Sequence, residues 1–318
     1  MEETQAGQNT AQHYIQRVLK LTESDPQLQQ LMPKESVRAA ISQPGLPLDR
    51  IIATVLESYA ERPALGERDY EIVSNVAKGR SEKRYLPSFT TCTYGELHTS
   101  AKNLACAWQH HPDHRVDPEE FVCTLGFGSI EYFTADVACV YRQAITVPLQ
   151  SSLGEENLAR IFADTHPAAL LVTPDELALA TGLAIEHGIT RSIVVIEYDE
   201  RLDDQRARLE AAQAEFDSSN ATIGLITFKE LVAYGASFSW DFLAPSAQGD
   251  ERMAMLMHSS GSTGTPKGAM IRERTVKAVW TAQRVNSTIP IVTLCLSPLN
   301  HIVGRNLTIA AIAQGGTV

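Results

Sequence analysis

The sequence predicts an α/β protein with parallel sheets flanked by helices. Two observations carry that reading. Short, uninterrupted apolar runs such as Phe121–Leu125, 144–149 and Ala169–Val172 are bounded by polar turns, as strands buried on both faces are. Longer segments between them place apolar residues at helical spacing, as in Ile130–Tyr141. Strands that alternate with helices build a parallel sheet covered on both faces.

The elements follow in order. Residues 1–60 read as an N-terminal helical segment. Tyr14, Val18 and Leu21 form one apolar stripe, and Leu48, Ile51, Ile52, Val55, Leu56 and Tyr59 form another. Residues 66–90 are polar and read as a surface hairpin or loop. A first α/β subdomain is expected over 61–245. Thr93 with Glu96 and Ser152 with Glu155 match capping boxes that open helices. Further strands are expected at 192–198, and a charged outer helix at 201–216. Residues 236–252 read as a connector. A second α/β subdomain is expected to start in 246–318, with strands at 253–257 and, buried, at 292–296.

The bulk composition excludes several classes. The net charge of −11 disfavours nucleic acid or an anionic membrane as partner. No apolar run is long enough for a membrane span. The five cysteines show no CxxC spacing and read as reduced core thiols. With no basic, apolar leader at the N-terminus, these features fit a cytoplasmic protein.

Residues 259–268 read Ser-Ser-Gly-Ser-Thr-Gly-Thr-Pro-Lys-Gly. The predicted order is strand, polar loop, helix. Ser259, Ser260, Ser262, Thr263 and Thr265 offer hydroxyls. Gly261, Gly264 and Gly268 let the backbone approach an anion, and Lys267 is a compact positive charge. Phosphate binding is the chemistry this pattern serves. It is not a Walker loop, because Pro266 precedes Lys267 and Gly268 follows it. A second candidate lies at Ser297-Pro-Leu-Asn-His301-Ile-Val-Gly304-Arg305, where His301 would stand at the carboxyl end of a strand. A lone histidine there is more often structural; paired with the loop upstream it becomes a candidate site residue.

Two weaker patterns have plainer readings. Gly126-Phe-Gly128 could begin a dinucleotide fingerprint, but Glu131 occupies the third glycine position, so a tight turn is the better account. His110, His111 and His114 could suggest a metal site. Pro112 breaks their helical spacing, which favours a polar loop with no metal.

The loop and the histidine segment together resemble the acyl-adenylate-forming superfamily. Tyr59-Ala-Glu-Arg-Pro-Ala-Leu-Gly66, Thr124-Leu-Gly-Phe127, Val147-Pro-Leu-Gln150 and the segment from Pro298 to Arg305 are similar to the adenylation domain of carboxylic acid reductases. Asp25-Pro-Gln and Pro44-Gly-Leu46 add to that likeness, and Thr93-Tyr-Gly-Glu-Leu97 is shared more widely. The resemblance implies the incomplete N-terminal core of an adenylate-forming enzyme. It implies ATP with Mg2+, and a small-molecule carboxylic acid activated to acyl-AMP. Residues 259–268 would hold the β- and γ-phosphates, and His301 would act at the acid pocket.

The resemblance also implies carrier and reductase domains, with phosphopantetheine and NADPH, only in full-length relatives. The adenine, magnesium and ribose segments and the lid lysine of the family are not found in these 318 residues. The isolated chain is therefore expected to be inactive in adenylation. A fragment of an acyl-CoA synthetase-type ligase and a non-catalytic remnant remain open alternatives. His258, Ile271, Arg272, Asn300 and Gly128 depart from the residues usual in the family.

Overall fold

The computed structural model describes residues 2–75, 79–187, 190–219, 221–259, 266–282 and 291–318. Four helices lead: α1 (Glu2–Ser24), α2 (Pro26–Gln30), α3 (Glu35–Ile41) and α4 (Leu48–Ser58). The apolar stripe of α4 is buried, with Leu48, Ile51, Val55 and Leu56 in the core. The stripe expected on α1 is not covered: Tyr14 and Leu21 are exposed. A long antiparallel hairpin of β1 (Pro63–Asn75) and β2 (Arg80–Thr93) follows, as the polar stretch suggested.

A winding α/β unit comes next. Its elements are α5 (Tyr94–His110), β3 (Phe121–Leu125), α6 (Ile130–Tyr141), β4 (Ile145–Leu149), α7 (Glu155–Thr165), β5 (Ala169–Val172), α8 (Leu177–His187), β6 (Ser192–Val195), α9 (Asp203–Ser219), β7 (Gly224–Thr227) and α10 (Phe228–Gly235). β8 (Met253–Ser259), β9 (Lys267–Arg272), α11 (Glu273–Thr281) and α12 (Ile302–Ile312) complete the chain.

The main sheet has the order β7-β6-β5-β3-β4-β8-β9. All neighbours are parallel except β8 and β9. Successive strand residues point to opposite faces, and the core divides accordingly. Val122, Leu171 and Val194 pack with α4, α5, α6 and α10. Cys123, Leu125, Leu170, Val172, Ile193 and Val195 pack with α7, α8 and α9. The parallel sheet is thus covered on both faces, as its apolar runs require.

Several local expectations change. Thr93 does cap α5: its hydroxyl accepts from Glu96 N at 3.1 Å, and Glu96 Oε2 accepts from Thr93 N at 2.7 Å. The Ser152 box does not form. The N-cap of α7 is Gly154 at φ +77°, two residues past Ser152, so no serine hydroxyl reaches the first helical turn. The predicted strand at 192–198 stops at Val195, because Glu197 turns the chain at φ +60°. The strand-loop-helix expectation at the phosphate loop is also corrected. β9 intervenes before the helix, since residues after Pro266 pair antiparallel with β8.

Within residues 246–318, β8 and β9 join the sheet of the preceding α/β unit. β8 pairs with β4, and β9 with β8. The smaller sheet is built around β1. Val318 N donates to Ala64 O at 2.9 Å, and Gly66 N donates to Val318 O at 2.8 Å. Thr317 exchanges backbone hydrogen bonds with residues 291 and 293. The strand expected at 292–296 is reduced to the single bridge Val292–Thr317. Val292, Leu294 and Leu296 are exposed, not buried, because among the described residues no second strand lies against them. No described helix is long and apolar enough to cross a membrane.

Candidate functional site

The topological switch point of the parallel strands lies between β3 and β5, whose following helices α6 and α8 pack on opposite faces, and β4 borders β3 on its other side. The loops leaving the carboxyl ends of β3 and β5 therefore diverge, and a crevice opens between neighbouring strands. Such crevices are where open α/β sheets take ligands.

The His301 turn sits beside this crevice, across the carboxyl ends of β3 and β4. Asn300 Nδ2 donates to Gly126 O, just past β3, at 2.9 Å, and to Leu149 O, the last residue of β4, at 3.0 Å. Leu299 N donates to Phe127 O at 2.9 Å. His301 is the N-cap of α12, and its Nδ1 accepts from Val303 N at 3.2 Å. With Nδ1 an acceptor, the neutral ring carries its proton on Nε2. The imidazole is exposed.

The turn packs closely behind its histidine. A Cβ on Gly304 would lie 2.4 Å from the carbonyl oxygens of Ser297 and Pro298, so only glycine lets α12 begin there. Arg305 is 2% exposed and pairs with Asp136 of α6. Asp136 Oδ1 also accepts from Thr146 Oγ1 of β4 at 3.0 Å. Burial pushes the Asp136 carboxyl up, and the Arg305 guanidinium opposes that shift.

A pocket of about 140 Å³ opens beside the turn. Leu65, Phe127, Phe133 and Leu299 supply its apolar wall, and Glu67, Ser129 and Thr308 its polar groups. Glu67 Oε1 accepts from Ile130 N at 2.6 Å, at the start of α6. Glu131 in the same turn accepts from Glu197 N at 2.6 Å. Burial raises the Glu131 carboxyl to about 7.

The phosphate-loop candidates divide. Ser260, Gly261, Ser262, Thr263, Gly264 and Thr265 lie outside the described residues. Ser259 and Lys267 face each other across the β8–β9 hairpin, and Gly268 faces His258. Lys267 is exposed, and no described carboxylate pairs with it. A Cβ on Gly268 would lie 2.9 Å from Leu256 Cδ1. β8 runs parallel to neighbouring β4, so the Ser259 end of the hairpin and the His301 turn share the carboxyl end of one sheet.

The sequence profile of AMP-binding enzymes matches residues 73–318. The chain belongs to the AMP-binding enzyme family. Among its relatives in the family, it is 37% identical to the carboxylic acid reductase of Mycobacterium tuberculosis over 96% of this chain and 26% of that protein. It is 31% identical to that of Segniliparus rugosus over 99% of this chain and 27% of that protein. The chain thus spans about a quarter of the length of these curated relatives. The solved A–PCP didomain of the Segniliparus rugosus reductase, in complex with AMP, superposes with a TM-score of 0.89 at 32% identity. That match covers 95% of this chain and 43% of the didomain. A fatty acyl-adenylate ligase from L. pneumophila shares the fold at 16% identity, with a TM-score of 0.58.

The weaker patterns resolve locally. Gly126 and Gly128 form the turn between β3 and α6. His114 lies in the loop after α5 but is itself buried, with its Nδ1 2.7 Å from Ser192 Oγ. His110 stacks on Phe238. The partners of Arg305 were hidden in the sequence: Asp136 stands in an apolar helix, 169 residues away. Its one signal is a carboxylate among Phe133, Ala135, Val137 and Ala138, where a buried charge needs a partner.

Proposed function

We propose that this chain supplies two parts of an acyl-adenylate-forming site: the phosphate hairpin around residues 259–268 and the acid-facing turn around His301. A carboxylate oxygen of a small-molecule acid attacks the α-phosphorus of ATP. The bond to the bridging oxygen breaks, and pyrophosphate leaves. Catalysis of this kind is positioning and charge stabilisation at phosphorus. Lys267 and the loop hydroxyls and amides hold the leaving phosphates, and His301 donates from Nε2 to the acid or its acyl phosphate. The single observation that carries the reading is the clasp of the His301 turn across the carboxyl ends of β3 and β4, at the same sheet end as the Ser259–Lys267 hairpin.

Mg2+ accompanies ATP in this proposal. It is usually held through phosphates and only one or two carboxylates. Among the described residues no group of three or more His, Cys, Asp or Glu gathers as a metal site. The protein is proposed to act in the cytoplasm. Transfer to a carrier and NADPH-dependent reduction belong to carrier and reductase domains outside these 318 residues.

The test is acid-dependent exchange of labelled pyrophosphate into ATP by the protein carrying this chain, with aromatic and aliphatic acids. Exchange that needs the acid and is lost in His301→Ala is the expected result. Exchange indifferent to His301, or phosphate binding with no acid dependence, would sink the proposal.

A further inference from the structure

The turn that carries His301 is held by several buried polar contacts. Arg305 Nη1 pairs with Asp136, and Arg305 Nε donates to Leu299 O at 3.1 Å. Arg305 therefore grips the residue two places before His301 from the first turn of α12. Asn300 joins the same turn to the carboxyl ends of β3 and β4. Thr146 fixes the Asp136 carboxylate from β4. Three elements thus converge on a turn whose one exposed polar product is an imidazole with its proton on Nε2.

A buried ion pair is a poor source of net stability, because desolvation consumes much of its attraction. Well-packed apolar side chains of similar volume often do as well. What the pair supplies that an apolar pair does not is direction: a guanidinium binds its acceptors in a fixed, planar geometry. We infer that Arg305, braced by Asp136, is a positioning residue that fixes the His301 turn over the carboxyl ends of β3 and β4, so that Nε2–H faces a bound carboxylate. The inference rests on the reading of His301 as the acid-facing group.

The test compares three forms of the 318-residue chain: wild type, Arg305→Lys, and the apolar pair Asp136→Leu with Arg305→Met. Arg305→Lys keeps the charge and loses the planar grip. The apolar pair keeps the volume without the ion pair, and keeps the test open where the lysine variant fails to fold. The first readout needs no ligand: the nitrogen spectrum of the His301 ring, assigned by its loss in His301→Gln, and hydrogen exchange at the Val303 amide. Wild type should show one Nε2–H tautomer and slow exchange. Both variants should keep their far-ultraviolet circular dichroism, mix tautomers, and exchange Val303 about tenfold faster.

An apolar pair with the wild-type ring spectrum and exchange rate would overturn the inference, leaving Arg305 as core filling. The second readout is titration with benzoate, which should shift the wild-type His301 ring and leave the variants' rings unmoved. A wild-type ring indifferent to benzoate would overturn the acid-facing role of His301. The exchange data would in that case still decide whether Arg305 anchors the turn.

Discussion

Lys267 and Gly304 contribute in opposite ways, one by adding a charge and the other by lacking a side chain. Lys267 stands exposed at the start of β9, the one cation within residues 259–268. A charge-assisted contact to phosphate is worth roughly 1.5–3 kcal/mol. Lys267→Ala should therefore weaken ATP binding by about 10- to 100-fold and leave acid binding unchanged. Separate titrations with ATP and with acid check this, and equal losses for both ligands would contradict it. Gly304 works by absence. Alanine there must push α12 off the Ser297 and Pro298 carbonyls, which lie 2.4 Å from its Cβ. Gly304→Ala should lower stability by roughly 1–3 kcal/mol in denaturant unfolding, within the range for overpacking. It should also disturb the His301 ring spectrum, which a surface change would not.

The elements show what the sequence made legible. β3, β4, β5 and their helices were readable because each is apolar enough to declare its own period. The α5 cap was readable because threonine and glutamate stand at the required spacing directly before the helix. The same spacing misled at Ser152, where Gly154 takes the cap. β9 escaped notice because its residues are mostly exposed and follow a glycine-rich loop. The smaller sheet escaped because it joins residue 64 to residue 318, and no local pattern records so distant a pairing. The same limit applies to the candidate site: the loop and the His301 segment stand out in the sequence as candidates, while the pairing of Arg305 with Asp136 depends on tertiary contact. β7 and α10 were also unread, although Thr227 and Glu230 form a second capping box. Their anchorage is a close helix crossing, where a Cβ on Gly235 of α10 would lie 1.7 Å from Asn103 O of α5. No side-chain adjustment relieves a clash with backbone, so Gly235→Ala must separate the helices. The expected cost is at least about 2 kcal/mol. Hydrogen exchange should speed selectively in β7 and α10; uniform protection across the sheet would refute the crossing as their anchor.

For the whole molecule, the buried titratable groups set opposing dependences on pH. Burial pushes His98 and His114 down to about 4. Protonating them favours the unfolded chain, so the stability they contribute is present above the ordinary imidazole value of 6.5 and is lost as pH falls toward 4. Glu131 acts in the other direction. Its carboxyl is raised by burial from an ordinary 4.5 to about 7, so the native state holds its proton more tightly than the unfolded state. Its contribution is greatest below pH 4.5 and declines as pH rises to about 7. Lys229 lies near enough to oppose the effect of burial, while Glu67 and Glu197 reinforce it. Glutamine at 131 keeps an oxygen for the Glu197 amide and removes the titration. The difference between wild type and Glu131→Gln isolates that one proton, because the other groups are common to both. Across the window from 4.5 to 7, the two stability curves should diverge by ~1.4 kcal/mol per pH unit. The variant should be the more stable partner at pH 8, and its advantage should shrink steadily on acidification. Urea unfolding at half-unit pH intervals measures both curves. Parallel curves would mean that Glu131 keeps its ordinary affinity for protons, and that the turn between β3 and α6 is open to water.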